Sequence, residues 1–417
     1  MKAYDSYKDS GIQWLPKIPS HWGSSKIKSH FRLRSTKVSD QDYPALSVSK
    51  NGVTPQLETA VKTDNGDNRK LVKAGDFVVN SRSDRKGSCG VSSLDGSVSL
   101  INIVLEPIDG FAQYYHHLFR SNDYIEEFYR NGRGIVSDLW TTRWNEMSNI
   151  MIPFPPIEEQ KNIVAFLDKQ ITLIESCKCQ RERELQTLNE LKQAEIASVV
   201  TRGLNPNVPM KDSGQIQFGE IPAHWDSVKM KYCFTQRSEK GFPDEPVLCA
   251  TQSKGVIPQS LYENRVVVVN KGFEGLKLVK IGDFVISLRS FQGGIEYAYY
   301  QGIISAAYTI LTPKDERNSQ YFKYLFKSHP FIQLLQTCVT GIREGQNINY
   351  GVLGNNFIPI PPIEEQNAIV EYIEAKTNKI DTMIEALKAE IDRLTEYKQR
   401  LISDVVTGQL NVQDEIA

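Results

Sequence analysis

The amino-acid sequence contains the same long pattern twice. Residues 8–22 begin with Lys-Asp-Ser-Gly and end with Ile-Pro-Ser-His-Trp, and residues 211–225 begin with the same four residues and end with Ile-Pro-Ala-His-Trp. Three more pairs follow in the same order, at residues 52–56 and 255–259, 75–78 and 282–285, and 152–160 and 358–366. The offset drifts only between 203 and 207 residues, which predicts two copies of one whole fold rather than a solenoid of short repeats. A duplicated structure suits a target that is itself two-fold symmetric, and duplex DNA is such a target.

Length and composition indicate an ordinary globular chain. The 417 residues form two units of about 200, each large enough to bury its own core. The N-terminus shows no basic segment followed by an apolar run, and no stretch approaches about 18 apolar residues, so we expect a cytoplasmic protein without a signal peptide or membrane span. The six cysteines form no Cys-x-x-Cys pair and do not recur between the repeats, which favours reduced, structural thiols.

The net charge of −1 conceals a segregation of charge along the chain. Residues 1–156 carry 20 basic and 17 acidic side chains, residues 205–362 carry 16 and 13, and the remaining segments carry a net negative charge. Two positive compact regions joined by negative segments fit two DNA contacts held by a spacer. The excess of three positive charges is small, so we expect partner chains to supply part of the phosphate neutralisation.

Each repeat predicts a globular region followed by a long helix. The segment Pro-Pro-Ile-Glu-Glu-Gln occurs at residues 155–160 and 361–366. Proline is accommodated at the start of a helix, and glutamates in the first turn interact favourably with the positive end of the helix dipole. We therefore expect a helix to begin at each of these segments and to end near the glycines at 203 and 408, which can adopt the left-handed conformation that stops a helix.

Both predicted helices carry a heptad seam. In the second helix nine of eleven seam positions are apolar, and in the first helix seven of eleven are apolar, with an interruption around Lys178 and Arg181. A helix from about residue 157 to 200 would be roughly 65 Å long, too long for one globular region to cover. If the repeats are related by a two-fold axis, the helices pair antiparallel as a coiled-coil spacer; the alternative is that each helix packs on its own globular region or on another chain.

These features together define the predicted architecture. Short apolar runs at 77–80, 99–105, 265–270 and 284–287 are bounded by turn residues and indicate strands, and residues 113–130 and 319–337 have helical spacing. We therefore predict an α+β fold class with two repeated globular regions separated by two long helices in a pseudo-two-fold arrangement. The predicted boundaries are a first globular region at 1–156, a first helical spacer at 157–204, a second globular region at 205–362, a second helical spacer at 363–410 and a tail at 411–417.

The sequence shows none of the catalytic signatures that we sought. It contains no glycine-rich loop ending in Gly-Lys-Ser/Thr, no glycine-rich cofactor turn, and no spaced acid-and-lysine set of a metal-dependent nuclease. Asn205-Pro206-Asn207-Val208 lacks the second proline and the aromatic residue with which adenine methyltransferases hold a flipped base. The equivalent histidines His21 and His224 are interpreted as structural. The chain is predicted to bind a target rather than to catalyse a reaction, with no metal site.

Two turns that follow the Gly-Asp strands are the leading candidates for DNA contacts. Arginine pairs bidentately with guanine, glutamine and asparagine pair with adenine, and serine bonds to phosphate or base. A solvated polar turn without function is the alternative. The loops before the Pro-Pro segments rank second. The candidate contact residues are Arg82, Ser83, Arg85, Lys86 and Arg133 in the first repeat and Arg289, Ser290, Gln292, Arg343, Gln346 and Asn347 in the second.

The chain resembles the specificity subunit of a type I restriction-modification enzyme over its whole length. The resemblance rests on the Ile-Pro-x-His-Trp, Gly-Val-x-Pro-Gln, Gly-Asp and Pro-Pro-Ile-Glu-Glu-Gln motifs and on their order. It implies that residues 1–156 and 205–362 are target recognition domains, each reading half of a split DNA sequence, while the helices set the spacing and dock two methyltransferase subunits. It also implies two motor-nuclease subunits. S-adenosylmethionine, ATP and Mg belong to those partners, and this chain has no cofactor of its own.

Three functions therefore stand as alternatives at this point. The first is a DNA-binding subunit that reads a bipartite site with half-site centres about one helical turn, roughly 34 Å, apart. The second is a non-catalytic coiled-coil scaffold that joins proteins without reading DNA. The third is an enzyme whose active site shows no recognisable motif, which methyl transfer or cleavage by the purified chain alone would reveal.

Overall fold

The computed structural model describes residues 2–56, 66–82, 85–134, 140–262, 272–315, 319–340 and 347–415. The chain divides into two compact units, one formed by Met1–Glu182 with Ala389–Ala417 and the other by Arg183–Lys388. Each unit contains one of the globular regions that the repeat predicts, together with part of each long helix. The predicted combination of two globular regions and two long helices is confirmed.

The first unit is built mainly from antiparallel strands and short helices. Its first long helix, α4, starts in this unit and continues into the second. In chain order the elements are β1 (Tyr7–Ile12), β2 (Leu15–Pro19), β3 (Gly23–Lys26), β4 (Phe31–Leu33), β5 (Lys37–Val38), β6 (Leu46–Ser49), β7 (Gly52–Pro55), β8 (Arg69–Val72), β9 (Phe77–Asn80), β10 (Cys89–Val91), β11 (Gly96–Val98), β12 (Asn102–Pro107), α1 (Ala112–Leu118), α2 (Asn122–Arg130), α3 (Trp144–Met147), β13 (Met151–Phe154) and α4 (Ile157–Arg202).

A four-stranded sheet in the order β10-β9-β12-β4 organises the first unit. Successive side chains of a strand point to opposite faces, and strand β9 shows the consequence. Phe77 and Val79 belong to the large core of the unit, whereas Val78 between them belongs to a smaller core on the other face, with Val104. The sheet therefore separates two apolar layers, and it carries the turn after β9 at one end.

The far end of the second long helix completes the large core of the first unit. The aromatic residues Trp22 and Tyr114 are fully buried in this core together with Val405 and Val406. The hydroxyl of Tyr114 donates a hydrogen bond to the carbonyl of Val406 at 3.0 Å. Since Val406 is the last residue of that helix, this bond satisfies a carbonyl that has no partner within the helix.

The second unit repeats this construction. Its last element is the second long helix, which returns to the first unit. In chain order the elements are β14 (Met210–Asp212), β15 (Glu220–Pro222), β16 (Asp226–Lys229), α5 (Met230–Cys233), β17 (Phe234–Arg237), β18 (Leu248–Thr251), β19 (Gly255–Pro258), β20 (Lys277–Val279), β21 (Phe284–Ile286), α6 (Ser290–Gly293), β22 (Glu296–Tyr297), β23 (Gly302–Ile304), β24 (Thr309–Pro313), α7 (Ser319–Leu325), α8 (His329–Thr337), β25 (Val339–Thr340), β26 (Asn347–Ile348), α9 (Tyr350–Leu353), β27 (Phe357–Ile360) and α10 (Ile363–Val406).

The sheet of the second unit has the order β17-β24-β21-β22 and again divides two cores. Phe284 and Ile286 contribute to the large core, and Val285 contributes to the smaller one. The hydroxyl of Tyr321 donates to the carbonyl of Val200 at 2.9 Å, so the end of α4 is bonded here as the end of α10 is bonded in the first unit.

Both long helices begin at the isoleucine after Pro-Pro, as predicted. The repeated glutamine of the motif holds the joint, because the Nε2 of Gln160 donates to the carbonyl of Pro155 at 2.9 Å and Gln366 makes the same bond to Pro361. The second glutamate of each motif accepts from the histidine of the Ile-Pro-x-His-Trp motif, as in the pair of His21 and Glu159 at 2.8 Å. The equivalent pair of His224 and Glu365 also lies at 2.8 Å.

The predicted antiparallel pairing of the long helices is confirmed inside each unit. In the first unit Glu175 of α4 pairs with Lys398 of α10, and Arg181 of α4 pairs with Glu390 of α10. The residue number along α10 falls as the residue number along α4 rises, so the helices run antiparallel. The second unit has a pair of Lys192 and Asp381 at 2.6 Å. All the predicted seam positions are buried or half-buried. The interruption that we noted around Arg181 is therefore a position where ion pairs between the helices replace apolar contacts.

Glycine ends each long helix in close contact with a tryptophan. Gly408 has φ +74°, and a Cβ there would lie 2.5 Å from Pro19 Cδ and 3.0 Å from Trp22 Cζ3. Gly203 has φ +73°, and a Cβ there would lie 3.2 Å from Trp225 Cζ2. The helix end can therefore adopt the left-handed conformation and approach the domain only because the residue lacks a side chain.

Some boundaries differ from the predictions. The segments 113–130 and 319–337 each form two helices with a break, α1 and α2 in the first unit and α7 and α8 in the second. The strand expected at 99–105 runs instead over Asn102–Pro107, and the run 265–270 lies outside the described residues. The six cysteines are all free thiols. Among the described helices, we find none with the length and apolar character needed to cross a membrane.

Candidate DNA interface

The first candidate turn follows β9 and comprises residues 80–82 and 85–88. Ser81 is buried, and its hydroxyl donates to the carbonyl of Ile101 at 2.6 Å. The carbonyl of Arg82 accepts from the hydroxyl of Tyr129 at 2.9 Å. The backbone is thus fixed from the strand side and from α2, while the side chains of Arg82, Arg85 and Lys86 are exposed.

Thr141 brings the second-ranked loop of the first repeat beside this turn. It forms an antiparallel bridge with Arg82 and another with Arg133. The backbone groups of Arg133 and Thr141 exchange two hydrogen bonds of 2.9 and 3.0 Å. Arg82 and Arg133, 51 positions apart in the sequence, therefore lie on one surface. This surface carries a further exposed arginine, Arg143, which the sequence did not predict as a contact. We call Arg82, Arg85, Lys86, Arg133 and Arg143 the first basic surface.

Acidic side chains lie beside two of the cations of the first basic surface and reduce its positive charge. Lys86 Nζ lies 2.9 Å from Glu126 Oε1 and 5.1 Å from the centre of the Tyr129 ring, and Arg133 Nε lies 3.3 Å from Glu146 Oε1. The Lys86 and Glu126 side chains are 49% and 71% exposed. Exposed pairs of this kind contribute only about 0–1 kcal/mol. A phosphate group can therefore replace the carboxylate partner at small cost.

The second candidate turn comprises residues 287–294. Ser290 stabilises the backbone of this turn, because its Oγ accepts a hydrogen bond from the amide of Ser287 at 2.9 Å. Ser290 is only 1% exposed. The prediction that Ser290 contacts DNA is therefore revised. Its hydroxyl is buried and bonded within the turn, so Ser290 is not part of the surface proposed below. Arg289 and Gln292 lie on either side of it and are exposed.

Helix α8 supports the second candidate turn. Gln336 Nε2 donates to the carbonyl of Phe291 at 3.3 Å. After α8 the chain enters the pair β25 and β26, in which Thr340 lies opposite Asn347. This pairing of strands corresponds, in the second repeat, to the bridge between Arg133 and Thr141 in the first. Asn347 is exposed. We call Arg289, Gln292 and Asn347 the second polar surface.

Three other predicted contact residues, Ser83, Arg343 and Gln346, lie outside the described residues.

Behind the second candidate turn a buried glutamate pairs with a half-buried lysine, an ion pair that the sequence did not predict. Glu296, 2% exposed, accepts from Lys327 Nζ at 2.6 Å. Burial raises the pKa of the Glu296 carboxyl from 4.5 to about 7, and the Lys327 ammonium opposes part of that rise. The two side chains line a cleft of about 620 Å³ that also includes Lys254, Tyr297 and Lys323. No local motif signals this pair, since its members lie 31 residues apart.

The first unit has a cleft at the equivalent place, lined by His116, Arg120, Asp168 and Lys398. Burial, with the nearby charges of Arg120 and His117, lowers the pKa of His116 to about 3, so this histidine is neutral at pH 7. His117 holds the pKa of Asp168 below its usual value through a hydrogen bond of 3.1 Å. These titratable groups are engaged in structural contacts.

The chemistry of the two surfaces is that of hydrogen bonding and charge. Exposed guanidinium, amide and ammonium groups on turns with a hydrogen-bonded backbone can form hydrogen bonds with base edges and phosphates. Within the described ranges we find no group of three or more His, Cys, Asp or Glu side chains placed to hold a metal ion.

Comparison with known proteins identifies the family. The family described as "Type I restriction modification DNA specificity domain" matches residues 19–187 and 222–393. Two curated relatives from Methanocaldococcus jannaschii are a putative type I restriction enzyme MjaX specificity subunit, 26% identical, and the type I restriction enzyme MjaVIII specificity subunit, 28% identical. Each match covers 64% of this chain and respectively 61% and 63% of the relative, so the chain matches less than two thirds of their length.

A solved structure shares the fold of this chain. It is described as the "structural basis underlying complex assembly and conformational transition of the type I R-M system", and it is similar with a TM-score of 0.69 at 17% identity. The match covers 94% of this chain and 99% of that one. With two matched domains that together span more than half of the residues, the chain belongs to the family of type I restriction-modification DNA specificity proteins.

Proposed function

We propose that this chain is the DNA-recognition subunit of a type I restriction-modification enzyme. Each globular domain reads one half of a bipartite site, through the first basic surface and the second polar surface. The two long helices fix the spacing between the half-sites. The chain itself is non-catalytic, acts in the cytoplasm and has no cofactor of its own.

The observation that carries this proposal is that two equivalently built units present candidate contact residues on equivalent turns. Arg82 and Arg289 each follow the sheet strand after the repeated Gly-Asp motif. Their neighbours differ, with Arg85 and Lys86 in the first unit and Gln292 in the second. A shared arginine suits a backbone contact common to both halves, and divergent neighbours suit the reading of different bases.

The proposed partners follow from the family and from the charge. Two methyltransferase subunits dock on the long helices and carry S-adenosylmethionine, and two motor-nuclease subunits use ATP and Mg. The helices carry exposed charges suited to such contacts, such as Arg400, whose side chain is 83% exposed and pairs at 3.4 Å with Asp404 of the same helix. Partner chains also supply cations for DNA, since each globular region has only three excess positive charges.

The test is equilibrium binding of the chain, purified with its methyltransferase, to duplex DNA over a range of salt concentrations. The target sequence is first identified as the methylated sequence in plasmid DNA from cells that express the complex. We expect a steep fall of affinity with salt, and Arg82→Ala and Arg289→Ala each to weaken binding. If neither substitution weakens binding, the assignment of the two turns is wrong.

The binding assay, together with an activity assay of the purified chain, separates the alternatives. A scaffold that never reads DNA would show no preference for the methylated sequence over a scrambled duplex. An enzyme would transfer methyl groups or cleave DNA as the purified chain alone, whereas we expect both activities only with the partner subunits present.

A further inference from the structure

Lys327 connects three segments of the second unit through one ammonium group. Its Nζ donates to Glu296 Oε1 at 2.6 Å, to the carbonyl of Gly293 at 2.9 Å and to the carbonyl of Gln252 at 3.2 Å. An ammonium has three N–H donors, so these acceptors use all of them. Glu296 lies on β22, Gly293 ends α6 in the second candidate turn, and Gln252 lies at the tip between β18 and β19.

The buried carboxylate fixes the lysine in this place. Glu296 is 2% exposed, and its second oxygen, Oε2, is buried and has no hydrogen-bond partner among the described residues. The carboxylate therefore depends on Lys327 for compensation of its charge. Removal of Lys327 would leave an uncompensated buried carboxylate. The ion pair therefore holds the lysine in one orientation, in which its ammonium also bonds the two carbonyls.

The contact between the tip and the turn is direct as well. A Cβ placed on Gly293 would lie 3.0 Å from Gln252 Cγ and 3.2 Å from Gln252 Nε2. The side chain of Gln252 therefore packs against Gly293, the residue after Gln292. Both glutamines are exposed. Ser253 and Lys254, the next residues of the tip, are exposed too.

The first unit lacks this particular clamp. At the places equivalent to Lys327 and Glu296 it has Arg120 and Cys89. Arg120 donates to His116 Nε2 at 2.8 Å, and the Cys89 thiol donates to the carbonyl of Phe119. The first candidate turn is held instead by the hydroxyl of Tyr129. The clamp is thus a feature of one half of the molecule.

We propose that the tip at residues 252–254 and the second candidate turn form one DNA-reading surface, with Gln252 as a further base-contacting residue and Lys327 as the residue that positions both. This inference rests on the proposed function. Gln252 offers the amide donor and acceptor that pair with adenine, beside the equivalent amide of Gln292. Reading by two neighbouring glutamines favours adenine-containing steps in the half-site of the second unit.

The experiment measures affinity of the complete complex for three duplexes: the methylated target sequence, the same duplex with the half-site of the second unit scrambled, and one with the other half-site scrambled. The variants are Gln252→Ala, Lys327→Met and Gly293→Ala, whose new Cβ displaces Gln252. Lys314→Met is the control, because Lys314 is an exposed lysine of the same unit that donates to a different carbonyl, that of Lys231.

We expect Gln252→Ala to lower affinity for the target about tenfold or more, the loss typical of a bidentate base contact, with unchanged salt dependence. Lys327→Met and Gly293→Ala should lower it too, and only on duplexes that keep the half-site of the second unit. The control should bind like the wild type. Lys327→Arg should partly restore affinity, since a guanidinium can donate to the same acceptors.

Two outcomes would overturn parts of the account separately. If Gln252→Ala and Gly293→Ala bind the target within twofold of the wild type while Arg289→Ala binds weakly, the tip is not part of the surface and this inference fails alone. If none of these variants, Arg289→Ala included, changes affinity for the target, the assignment of the second candidate turn in the proposed function fails as well. Because Gln252 is exposed, its truncation should leave folding intact even if Lys327→Met unfolds the unit.

Discussion

Replacement of Gly408 by alanine should destabilise the first unit strongly. The backbone at this residue has φ +74°, and an added Cβ would lie 2.5 and 2.8 Å from Pro19 Cδ and Cγ and 3.0 Å from Trp22 Cζ3. A left-handed backbone costs a residue with a Cβ about 1–2 kcal/mol, and overpacking of a buried contact costs about 1–3 kcal/mol. We therefore expect Gly408→Ala to lower the free energy of unfolding of this unit by about 2–5 kcal/mol.

The matched control is Gly11→Ala in the same unit. Gly11 has φ +66°, but an added Cβ would meet nothing within 4 Å, so only the backbone cost of about 1–2 kcal/mol applies. The assay is urea unfolding of both variants, with amide hydrogen exchange of residues 20–22 and 405–412 to localise the change. Equal losses for the two variants would refute the reasoning, because they would mean that the end of α10 does not pack against Trp22.

Two further predictions concern buried polar groups. Since the folded-state pKa of Glu296 is raised from 4.5 to about 7, the stability that this group contributes is present below about pH 4.5 and is lost as pH rises to 7. Glutamine does not titrate, so the unfolding free energy of Glu296→Gln minus that of the wild type should rise by about 3 kcal/mol from pH 4.5 to pH 7. Urea unfolding at several pH values measures this difference, and a constant difference would contradict the prediction. Tyr114→Phe should cost about 1–3 kcal/mol, because the hydroxyl bonds to Val406. Tyr115→Phe should be neutral or stabilising, because the hydroxyl of Tyr115 is buried without a hydrogen-bond partner among the described residues; equal losses for the two would argue against the contact with Val406.

The sequence was sufficient to predict the features that depend on local chemistry or on periodicity. The Pro-Pro-Ile-Glu-Glu-Gln segments start α4 and α10 because proline and glutamate suit the first helical turn, and the heptad seam followed from spacing alone. The interpretation of His21 as structural agrees with its bond to Glu159. The breaks within the shorter helical segments were missed, because apolar spacing continues across residues 119–121 even though the chain turns there.

Long-range contacts could not be predicted in the same way. The sequence does not show that the end of α10 completes the core of the first domain, nor that Thr141 joins Arg82 to Arg133. Ser290 looked like a contact because serine is common in exposed polar turns, and its burial depends on how the turn folds back on Ser287. The clamp of Lys327 joins residues 31 and 75 positions apart, a separation at which one sequence alone gives no signal.

The most direct test of the central claim is a hydroxyl-radical footprint of the chain, bound with its methyltransferase partner, on DNA that contains the methylated target sequence. Two domains on a helical spacer should protect two separate tracts whose centres lie about one helical turn, roughly 34 Å, apart. Arg289→Ala should weaken protection of one tract and Arg82→Ala protection of the other. A single contiguous protected tract, weakened as a whole by either substitution, would contradict the account.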